Sequence, residues 1–405
     1  MSEVFDGLIL GGGPGGSTAA ALLARSGWSV AVVEKATFPR VKVCGEFVSA
    51  TNRPLFDQLG ITEAFLDQAG PEIQRVGLFT GAAKLTAPMP GTPRARLGCG
   101  RALGRESLDT LLLDTAKRAG ARVWQPWVAA DLVKQGDEYV CRVVSREAGK
   151  SEELRARIVI AAHGSWEPGR LPTQILRSKA SDSDLFGFKA RFTDASLPVD
   201  LMPLLVFPGG YGGMVQSDGG RLSLSCCVRR DQLERLRTEC AGASAVEAVL
   251  QHIRENCFGV REILNGARVD GSGLSVGPIR PGIRRSPGDG IFLVGNAAGE
   301  AHPIVAEGIS MAVQSAWVLC RRLIDERKQV LRGHGLREAR LGYEKEWRRC
   351  FGSRLRAAAF FARVALHPAS ALVSRRLLER FPALLSWGAR WSGKSSRIVE
   401  PVTSF

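Results

Sequence analysis

The chain has 405 residues, of which 45% are hydrophobic and 23% are charged. This balance predicts a globular protein with a large core, about two domains and an appendage. It argues against a membrane-spanning protein, because no uncharged apolar run approaches the roughly 20 residues that a span needs. Nine scattered cysteines without a CxxC pair predict reduced thiols, and the early first strand predicts a cytoplasmic protein without a secretory signal.

The net charge of +15 is concentrated in one part of the chain. Residues 321–397 hold 19 Lys and Arg against 6 Asp and Glu, a net +13, so the remainder is nearly neutral. No aromatic-basic module is recognisable, and we predict no nucleic-acid partner. Attraction to a membrane surface with anionic lipid or to an acidic carrier protein stays open, beside the simpler reading of solvated helix faces.

A glycine-rich turn stands at the centre of the first recognisable unit. The apolar run Leu8–Leu10 leads into Gly11–Gly16, and an Ala- and Leu-rich helical pattern follows. A second apolar run, Val30–Val33, ends at Glu34. Strand, glycine turn, helix, strand and acid within about 30 residues are the context that a dinucleotide-binding fingerprint requires.

Each position of this turn has a physical role in binding a dinucleotide. Gly11 permits the tight turn off the strand, and Gly13 has no Cβ to block a pyrophosphate. Gly16 lets the helix approach the sheet, and the N-terminus of that helix attracts phosphate. Glu34 is placed to accept hydrogen bonds from a ribose. FAD and NAD both remain open at this stage, and a purely structural glycine turn is the alternative.

The segment 35–47 is a predicted loop at the carboxyl ends of the strands, where ligands bind in doubly wound sheets. Its Cys44-Gly45-Glu46 is therefore a candidate lining of a redox centre, with a buried, inert cysteine as the alternative. Periodicity and turn residues predict the elements that follow. They are helix over 50–69, strands over 73–99, helix over 104–118, strand over 121–124, a hairpin over 128–147 and a strand over 154–162 that ends at His163-Gly164-Ser165.

The pattern changes character after residue 185. Alternating aromatic and small residues over 185–230 predict an antiparallel sheet with one buried face, the expected substrate domain. Residues 231–257 are predicted helical, and 265–285 are predicted to return to the first domain. A second apolar strand then ends in small residues at 288–299, and a helix over 310–323 points back at that site.

Together these motifs resemble the flavoprotein monooxygenase superfamily, which includes para-hydroxybenzoate hydroxylases, flavin-dependent halogenases and geranylgeranyl reductases. The resemblance covers about residues 4–325. Cys44-Gly45 and Phe207-Pro208 look most like the geranylgeranyl reductase branch. It rests on five segments: Gly11–Gly16 with Glu34, Cys44-Gly45-Glu46, Arg105 with Leu108-Asp109, Ala162-His163-Gly164, and Gly295-Asn296 through Ile309.

The resemblance implies an α/β fold, with a Rossmann-like FAD-binding domain of the GR2 type, an inserted antiparallel β-sheet substrate domain and C-terminal helices. The implied division assigns 1–80, 100–170 and 268–330 to the FAD-binding domain. Residues 81–99 and 171–267 form the substrate domain, and 331–405 form a basic helical region.

The resemblance also implies FAD rather than NAD as the cofactor, and it assigns residues to parts of FAD. The implied contacts are Gly11, Gly13, Gly15 and Gly16 with the pyrophosphate, Glu34 with the ribose, Cys44, Gly45 and Phe47 with the flavin border, Arg105 with the cofactor, Val128 with the adenine, Asn296 with the ribityl and phosphate region, and Gly308 and Ile309 with the pyrimidine edge. The last pair has a physical reason, because a helix N-terminus stabilises negative charge on the reduced ring.

Four departures from the family pattern affect the expected chemistry. Asn296 stands where the superfamily usually has Asp, and His163-Gly164 replaces the usual Asp-Gly, which leaves NAD(P)H or a separate flavin reductase as the electron donor. Ala306 replaces a common glycine. The WxWxIP motif of halogenases is not found in the sequence, which argues against halogenation.

The leading prediction is an FAD-dependent monooxygenase that uses a C4a-hydroperoxide to hydroxylate or epoxidise an apolar, aromatic or polyketide-like substrate of secondary metabolism. His302, Glu46, Glu307 and Tyr211 are candidate bases, each with a structural hydrogen-bonding role as the alternative. A geranylgeranyl-reductase-like enzyme acting on an alkene in a prenyl or polyketide substrate is the second reading. A halogenase and a noncatalytic flavin-binding partner protein are further alternatives.

The tail from residue 335 is predicted to form short amphipathic helices broken by Pro368 and Pro382. Three roles are open for it: a cap over the substrate pocket, a peripheral contact with a membrane surface, and simple packing on the FAD domain.

Overall fold

A computed structural model describes residues 3–90, 98–147, 149–164, 169–174, 179–394 and 398–399. The predictions for Ser165 and for part of 81–99 lie outside these residues. The described strands are β1 (Val4–Leu10), β2 (Val30–Val33), β3 (Phe47–Val48), β4 (Arg75–Thr80), β5 (Ala83–Pro88), β6 (Arg101–Ala102), β7 (Arg122–Trp124), β8 (Trp127–Gln135), β9 (Glu138–Ser145), β10 (Ser151–Ala161), β11 (Leu185–Thr193), β12 (Leu201–Phe207), β13 (Gly210–Gln216), β14 (Leu222–Arg229), β15 (Arg268–Val269), β16 (Leu274–Ile279), β17 (Gly282–Ile283), β18 (Ile291–Leu293) and β19 (Gly299–Glu300).

The described helices are α1 (Pro14–Arg25), α2 (Arg53–Gln58), α3 (Thr62–Gln68), α4 (Arg105–Arg118), α5 (Arg230–Glu239), α6 (Ala245–Asn256), α7 (Phe258–Ile263), α8 (Gly308–Asp325), α9 (Arg327–Leu331), α10 (Leu336–Leu366), α11 (Pro368–Arg380) and α12 (Ala383–Ala389). Among them, no single helix has the length and apolar composition of a membrane span. Only α10 and α11 taken together have both, and they are bent by 103° at their junction.

The first sheet has the order β7-β2-β1-β10-β9-β8, and β18 pairs with the C-terminal half of β10. Strands β7, β2, β1, β10 and β18 are parallel, whereas β9 and β8 continue the sheet as an antiparallel hairpin. Strands β2 and β18 and the C-terminal ends of β1 and β10 are apolar runs buried on both faces, as sheets covered by crossover helices require. Helices α1, α4 and α8 pack together beside them. The predicted Rossmann-like unit is confirmed.

The second sheet has the order β15-β11-β14-β13-β12-β4-β5, with β16 paired to β11. Alternation along β11 places Phe188, Ala190 and Phe192 against α5–α7, and it turns Gly187 and Lys189 to the opposite face. The sheet is antiparallel except for one pair, because β4 enters parallel to β12 from a distant part of the chain. This pair is the one departure from the predicted antiparallel arrangement.

The domain division stays a prediction, but two of its boundaries do not coincide with the strand pairing. Strand β4 lies in the second sheet although residues up to 80 were assigned to the FAD-binding domain. Strands β15 and β16 also pair with β11, so 265–285 does not return directly to the first sheet. The backbone groups of β15 and β16 complete the hydrogen bonds of β11. Sequence patterns within one segment do not show which strands pair with one another.

The tail differs from its prediction in one respect. Helix α10 has 31 residues, so the tail begins with one long helix rather than several short ones. Pro368 is the first residue of α11 and Pro382 directly precedes α12, positions where a missing amide costs nothing. Ala362 and Ala365 of α10 pack against Leu78 and Val206 of the second sheet, on the face opposite α5–α7.

Candidate functional site

One cavity of about 940 Å³ runs from the glycine turn of the first sheet to the tail. It is lined by residues from both sheets and from α10–α12. All but two of the predicted site residues lie in its wall, and the two exceptions are Gly16 and Glu307. Those in the wall are Gly11, Gly13, Gly15, Glu34, Cys44, Gly45, Glu46, Phe47, Arg105, Val128, Tyr211, Asn296, His302, Gly308 and Ile309.

In the glycine turn between β1 and α1, two glycines are needed for packing and a third leaves space for a ligand. Gly11 has φ +110°, and a Cβ there would lie 2.7 Å from the carbonyl oxygen of Ala162. A Cβ on Gly16 would lie 1.9 Å from the carbonyl oxygen of Gly11, so Gly16 serves the packing of helix on sheet. A Cβ on Gly13 would meet no protein atom closer than 3.7 Å and would project into the cavity. The fold would therefore tolerate a side chain at position 13, whereas a bound ligand needs the space that glycine leaves there.

The carboxylate of Glu34 is held by the backbone of the same turn. One oxygen accepts a hydrogen bond from the amide of Gly12 at 2.7 Å, and the other accepts from Ala36 at 2.8 Å. Arg40 lies 3.5 Å away, and the side chain is 3% exposed. Glu34 lines the cavity where β2 ends. Because two backbone amides hold its carboxylate, the orientation of the side chain is fixed before a ribose binds.

A cluster of cations lies beside the turn. Arg105 forms a two-point ion pair with Asp109 at 2.7 and 2.8 Å, and Arg40 approaches the same carboxylate at 3.3 Å. Burial, together with the Arg105 and Arg40 charges, lowers the pKa of Lys42 from 10.5 to about 8. Three cations in one cavity wall suit a diphosphate. The prediction named Arg105 alone; the spacing of Arg40 and Lys42 in the loop after Glu34 was the available signal.

Two helix N-termini face the cavity. Helix α1 begins after Gly13 and α8 begins after Glu307, and neither of these residues caps its helix with a side-chain hydrogen bond. A Cβ on Gly308 would have no atom within 4 Å. The first amides of both helices are thus available to an anionic or electron-rich ligand. These helix starts, the cation cluster and the open space at Gly13 fit FAD.

Asn296 follows β18, and its side chain is already oriented. Its amide donates to Glu300 at 3.0 Å, and Arg284 lies 3.5 Å from the second oxygen of that carboxylate. The residue keeps a polar group in the cavity wall but contributes no charge. Val128, predicted to meet the adenine through its backbone, lines the cavity and is 37% exposed.

Tyr211 and His302 form one polar pair in the substrate half of the cavity. The phenol oxygen lies 3.4 Å from His302 Nδ1. Burial raises the pKa of Tyr211 well above 10 and lowers the pKa of His302 from 6.5 to about 4. At neutral pH the phenol therefore keeps its proton and the imidazole stays neutral. The pair is suited to binding a polar group of a substrate and is a weak general base.

The two predicted carboxylate bases are engaged in ion pairs. Glu46, with φ +61°, pairs with Lys189 and lies 2.9 Å from Arg191, and the carboxylate is fully buried. Glu307 lies 3.2 Å from Lys394 and 3.8 Å from Arg354, also fully buried. These pairings orient both carboxylates, in keeping with the structural role that was the alternative to their predicted role as bases. The cationic partners come from β11 and the tail, far along the chain, and were missed.

The tail forms part of the wall of the substrate half of the cavity. Phe361 and Val364 of α10, Leu378 of α11 and Leu385 near the middle of α12 line it. Lys394 also lines it, and its ammonium donates to the carbonyl oxygen of Val305 at 2.8 Å. The tail therefore covers the pocket, as one of the three predicted roles requires, and it also packs on the rest of the protein.

This geometry defines a flavoprotein whose FAD cradle continues into an apolar chamber. The family model described as FAD binding domain matches residues 4–358, and the chain belongs to this family. It is an FAD-dependent oxidoreductase of the flavoprotein monooxygenase superfamily, in the group of halogenases, monooxygenases and geranylgeranyl reductases.

Several known proteins are similar to the chain. The tryptophan 2-halogenase of Chondromyces crocatus is 26% identical over 76% of the chain, which spans 59% of that halogenase. The digeranylgeranylglycerophospholipid reductase of Thermoplasma volcanium is 28% identical over 77% of the chain and 76% of the reductase. Two solved structures share the fold. The myxobacterial chondrochloren halogenase CndH has a TM-score of 0.77 and 21% identity, with 96% of this chain and 91% of that one covered. PqsL of Pseudomonas aeruginosa, described as a probable FAD-dependent monooxygenase, has a TM-score of 0.66 and 18% identity, with 91% of this chain and 98% of that one covered.

Proposed function

We propose that the protein is an FAD-dependent monooxygenase that hydroxylates or epoxidises an apolar, aromatic or polyketide-like molecule. The observation that carries this proposal is the Tyr211–His302 pair in an otherwise largely apolar chamber next to the FAD cradle. Such a chamber suits a substrate with an apolar body and one polar group. When bound and reduced, FAD supplies the activation of O₂ that transfers one oxygen atom.

The residues of the chain bind and orient rather than react. The phenol of Tyr211 keeps its proton and can donate it in a hydrogen bond to a substrate carbonyl or hydroxyl oxygen. The neutral imidazole of His302 lies 3.4 Å from that phenol and helps to orient it. The side chains of α10–α12 and the second sheet exclude water from the reacting atoms. The N-terminus of α8 would favour negative charge on a flavin ring bound beside it.

The proposal is tested with the purified protein loaded with FAD. The flavin is reduced under anaerobic conditions, O₂ is admitted, and products from a panel of phenols and polyketide aromatics are analysed by mass spectrometry. We expect the gain of one oxygen atom by a panel member, whereas without substrate the same O₂ should be released as H₂O₂. No oxygenated product from any panel member would contradict the proposal.

A matched pair of variants tests the part assigned to Tyr211. Tyr211→Phe removes the hydroxyl in the chamber, whereas Tyr139→Phe removes a buried hydroxyl that donates to Asp289 outside the cavity. We expect Tyr211→Phe to retain FAD and to lose about tenfold in kcat/KM, the value of one hydrogen bond to a bound polar group. Tyr139→Phe should keep kcat/KM. Equal losses in both variants would mean that the chamber hydroxyl does not contact substrate.

Reduction of an alkene is the second candidate, and Cys44 is the observation that favours it. Cys44 lines the cavity beside Gly45 and Phe47, where the flavin border is predicted, and the Thermoplasma reductase is among the relatives. The Phe207-Pro208 turn, the other predicted sign of this branch, carries less weight because Phe207 packs against α5–α7. Anaerobic oxidation of the reduced flavin by a prenyl alkene, slowed by Cys44→Ser, would support this candidate.

The same reaction mixture separates the remaining alternatives. The similarity to halogenases keeps halogenation open although the WxWxIP motif is missing, and bromide in the mixture would then yield a brominated product. Supplying either NAD(P)H or a separate flavin reductase identifies the electron donor. A noncatalytic flavin-binding partner protein would show no flavin turnover with any acceptor, and it would form a stoichiometric complex with a carrier protein.

A further inference from the structure

The outer surface of the tail exposes large apolar side chains that have no place in the core. None of the residues of α11 is buried. Val373, Leu377 and Phe381 recur every four residues, which places them along one helical stripe. We define the tail patch by its eight exposed apolar residues, whose exposed fractions lie between 37% and 66%: Phe360, Leu372, Val373, Leu377, Phe381, Leu384, Trp387 and Trp391.

Aromatic rings connect α10 to α12 within this patch. The ring centroids of Trp387 and Trp391 lie 5.2 Å apart, and those of Phe360 and Trp391 lie 5.9 Å apart. These contacts hold the rings in place, yet Phe360 and Trp387 each remain more than half exposed. A cluster of exposed, ordered indole and phenyl rings is typical of a surface that contacts the interface of a bilayer.

The charge around the patch has one sign. Residues 356–394 hold seven Lys and Arg against a single acid, Glu379. Arg375 neutralises that acid at 2.9 Å, whereas Arg363, Arg376, Arg380 and Arg390 are exposed. Cationic side chains that surround exposed aromatic residues are complementary to anionic lipid head groups.

We propose that the tail patch docks onto a bilayer that contains anionic lipid. The apolar side chains enter the acyl boundary, and the arginines contact the head groups. Phe360, Leu377, Leu384 and Trp387 belong both to the patch and to the cavity wall, so the docked surface includes an opening of the substrate chamber. An acidic carrier protein would pair with the arginines but would leave most of the eight apolar side chains in water, and the apolar area therefore favours lipid.

The first test measures binding of the FAD-loaded protein to vesicles by sedimentation. We expect binding to vesicles of phosphatidylcholine with phosphatidylglycerol and at least tenfold weaker binding to phosphatidylcholine alone. Arg376→Glu with Arg380→Glu should weaken binding about tenfold or more. Trp387→Ser with Phe381→Ser should weaken it at least about tenfold, since each large apolar side chain contributes about that factor.

The control variant is Val269→Ser, which removes an apolar side chain 57% exposed on β15, away from the tail. It should bind vesicles like the unmodified protein. Absence of binding to phosphatidylglycerol vesicles, or an equal effect of the control, would overturn the proposal. Equal melting temperatures and FAD content among the variants exclude misfolding as the cause.

A second measurement distinguishes insertion from surface attraction. Tryptophan fluorescence should be quenched by lipids brominated on the acyl chains, and Trp387→Phe with Trp391→Phe should remove most of that quenching. Binding without any quenching would overturn the proposed insertion and would leave the arginines as the partner surface for an acidic protein. Neither measurement depends on flavin turnover, so this proposal and the proposed reaction can fail separately.

Discussion

The cation cluster beside the glycine turn makes a quantitative prediction about FAD affinity and pH. Without an anion, burial and the Arg105 and Arg40 charges hold the pKa of Lys42 at about 8 instead of 10.5. A diphosphate at this position opposes both effects and favours the charged ammonium. FAD binding above pH 8 must therefore take up one proton, whereas binding at pH 7 takes up none.

The size of the effect follows from the displacement of the pKa. If the bound diphosphate returns the pKa of Lys42 to its ordinary 10.5, the affinity for FAD falls about tenfold per pH unit above pH 8. At pH 9.5 the loss is then about 30-fold, or about 2 kcal/mol. Affinity is highest below pH 8, because there the charged form predominates in the free and bound protein alike.

The assay is titration of the apoprotein with FAD between pH 6.5 and 9.5, followed by the quenching of FAD fluorescence. Lys42→Arg keeps the charge and removes the titration, so it should bind FAD tightly with little dependence on pH. Lys42→Met should bind more weakly at pH 7, also without that dependence. A slope that persists in Lys42→Arg would refute the reasoning, because another group would then supply the proton.

Three further predictions concern single side chains. Gly13→Ala should leave the melting temperature of the apoprotein unchanged, because the new Cβ would come no closer than 3.7 Å to Arg40. It should abolish FAD retention, because that Cβ would occupy the cavity; the visible absorbance of bound flavin and a thermal scan measure the two effects. Because the pKa of His302 is lowered to about 4, its contribution to the free energy of unfolding is fully present above pH 6.5 and falls by about 3 kcal/mol as the pH drops to 4. Urea unfolding of His302→Gln should show a smaller loss of stability at acid pH, and an unchanged profile would contradict this cause. Ala306 has φ +51°, so Ala306→Gly should raise the free energy of unfolding by about 0.5 kcal/mol, and a lower melting temperature would count against strain there.

Much of the FAD cradle could be predicted from the sequence because its determinants are local. Glycines in a strand-to-helix turn and a short apolar run specify conformation within a few residues, so the predicted strand at Val30–Val33 has the observed bounds. The helix predicted over 104–118 is likewise observed over Arg105–Arg118. Gly16 was assigned to helix packing by the same logic, and the lack of room for a Cβ there agrees with that role.

The partners of buried charges could not be predicted in this way. Glu307 stands next to Gly308 in the sequence, and this neighbourhood suggested a place near the flavin ring. Its carboxylate instead points to Arg354 and Lys394, and these residues lie 47 and 87 positions further along the chain. Spacing within one segment says nothing about such pairs, since they depend on how α10 and the residues after α12 pack against α8.

The cavity joins parts of the chain that are far apart in sequence, and this has a consequence for its diversification. The pyrophosphate end is made by the turn after β1, whereas the opposite end is walled by α11 and α12. Replacing those two helices by helices with side chains of different volume would change which substrates fit, while the FAD-binding end stays the same. Substrate selectivity in this architecture can therefore change during evolution without a change of cofactor.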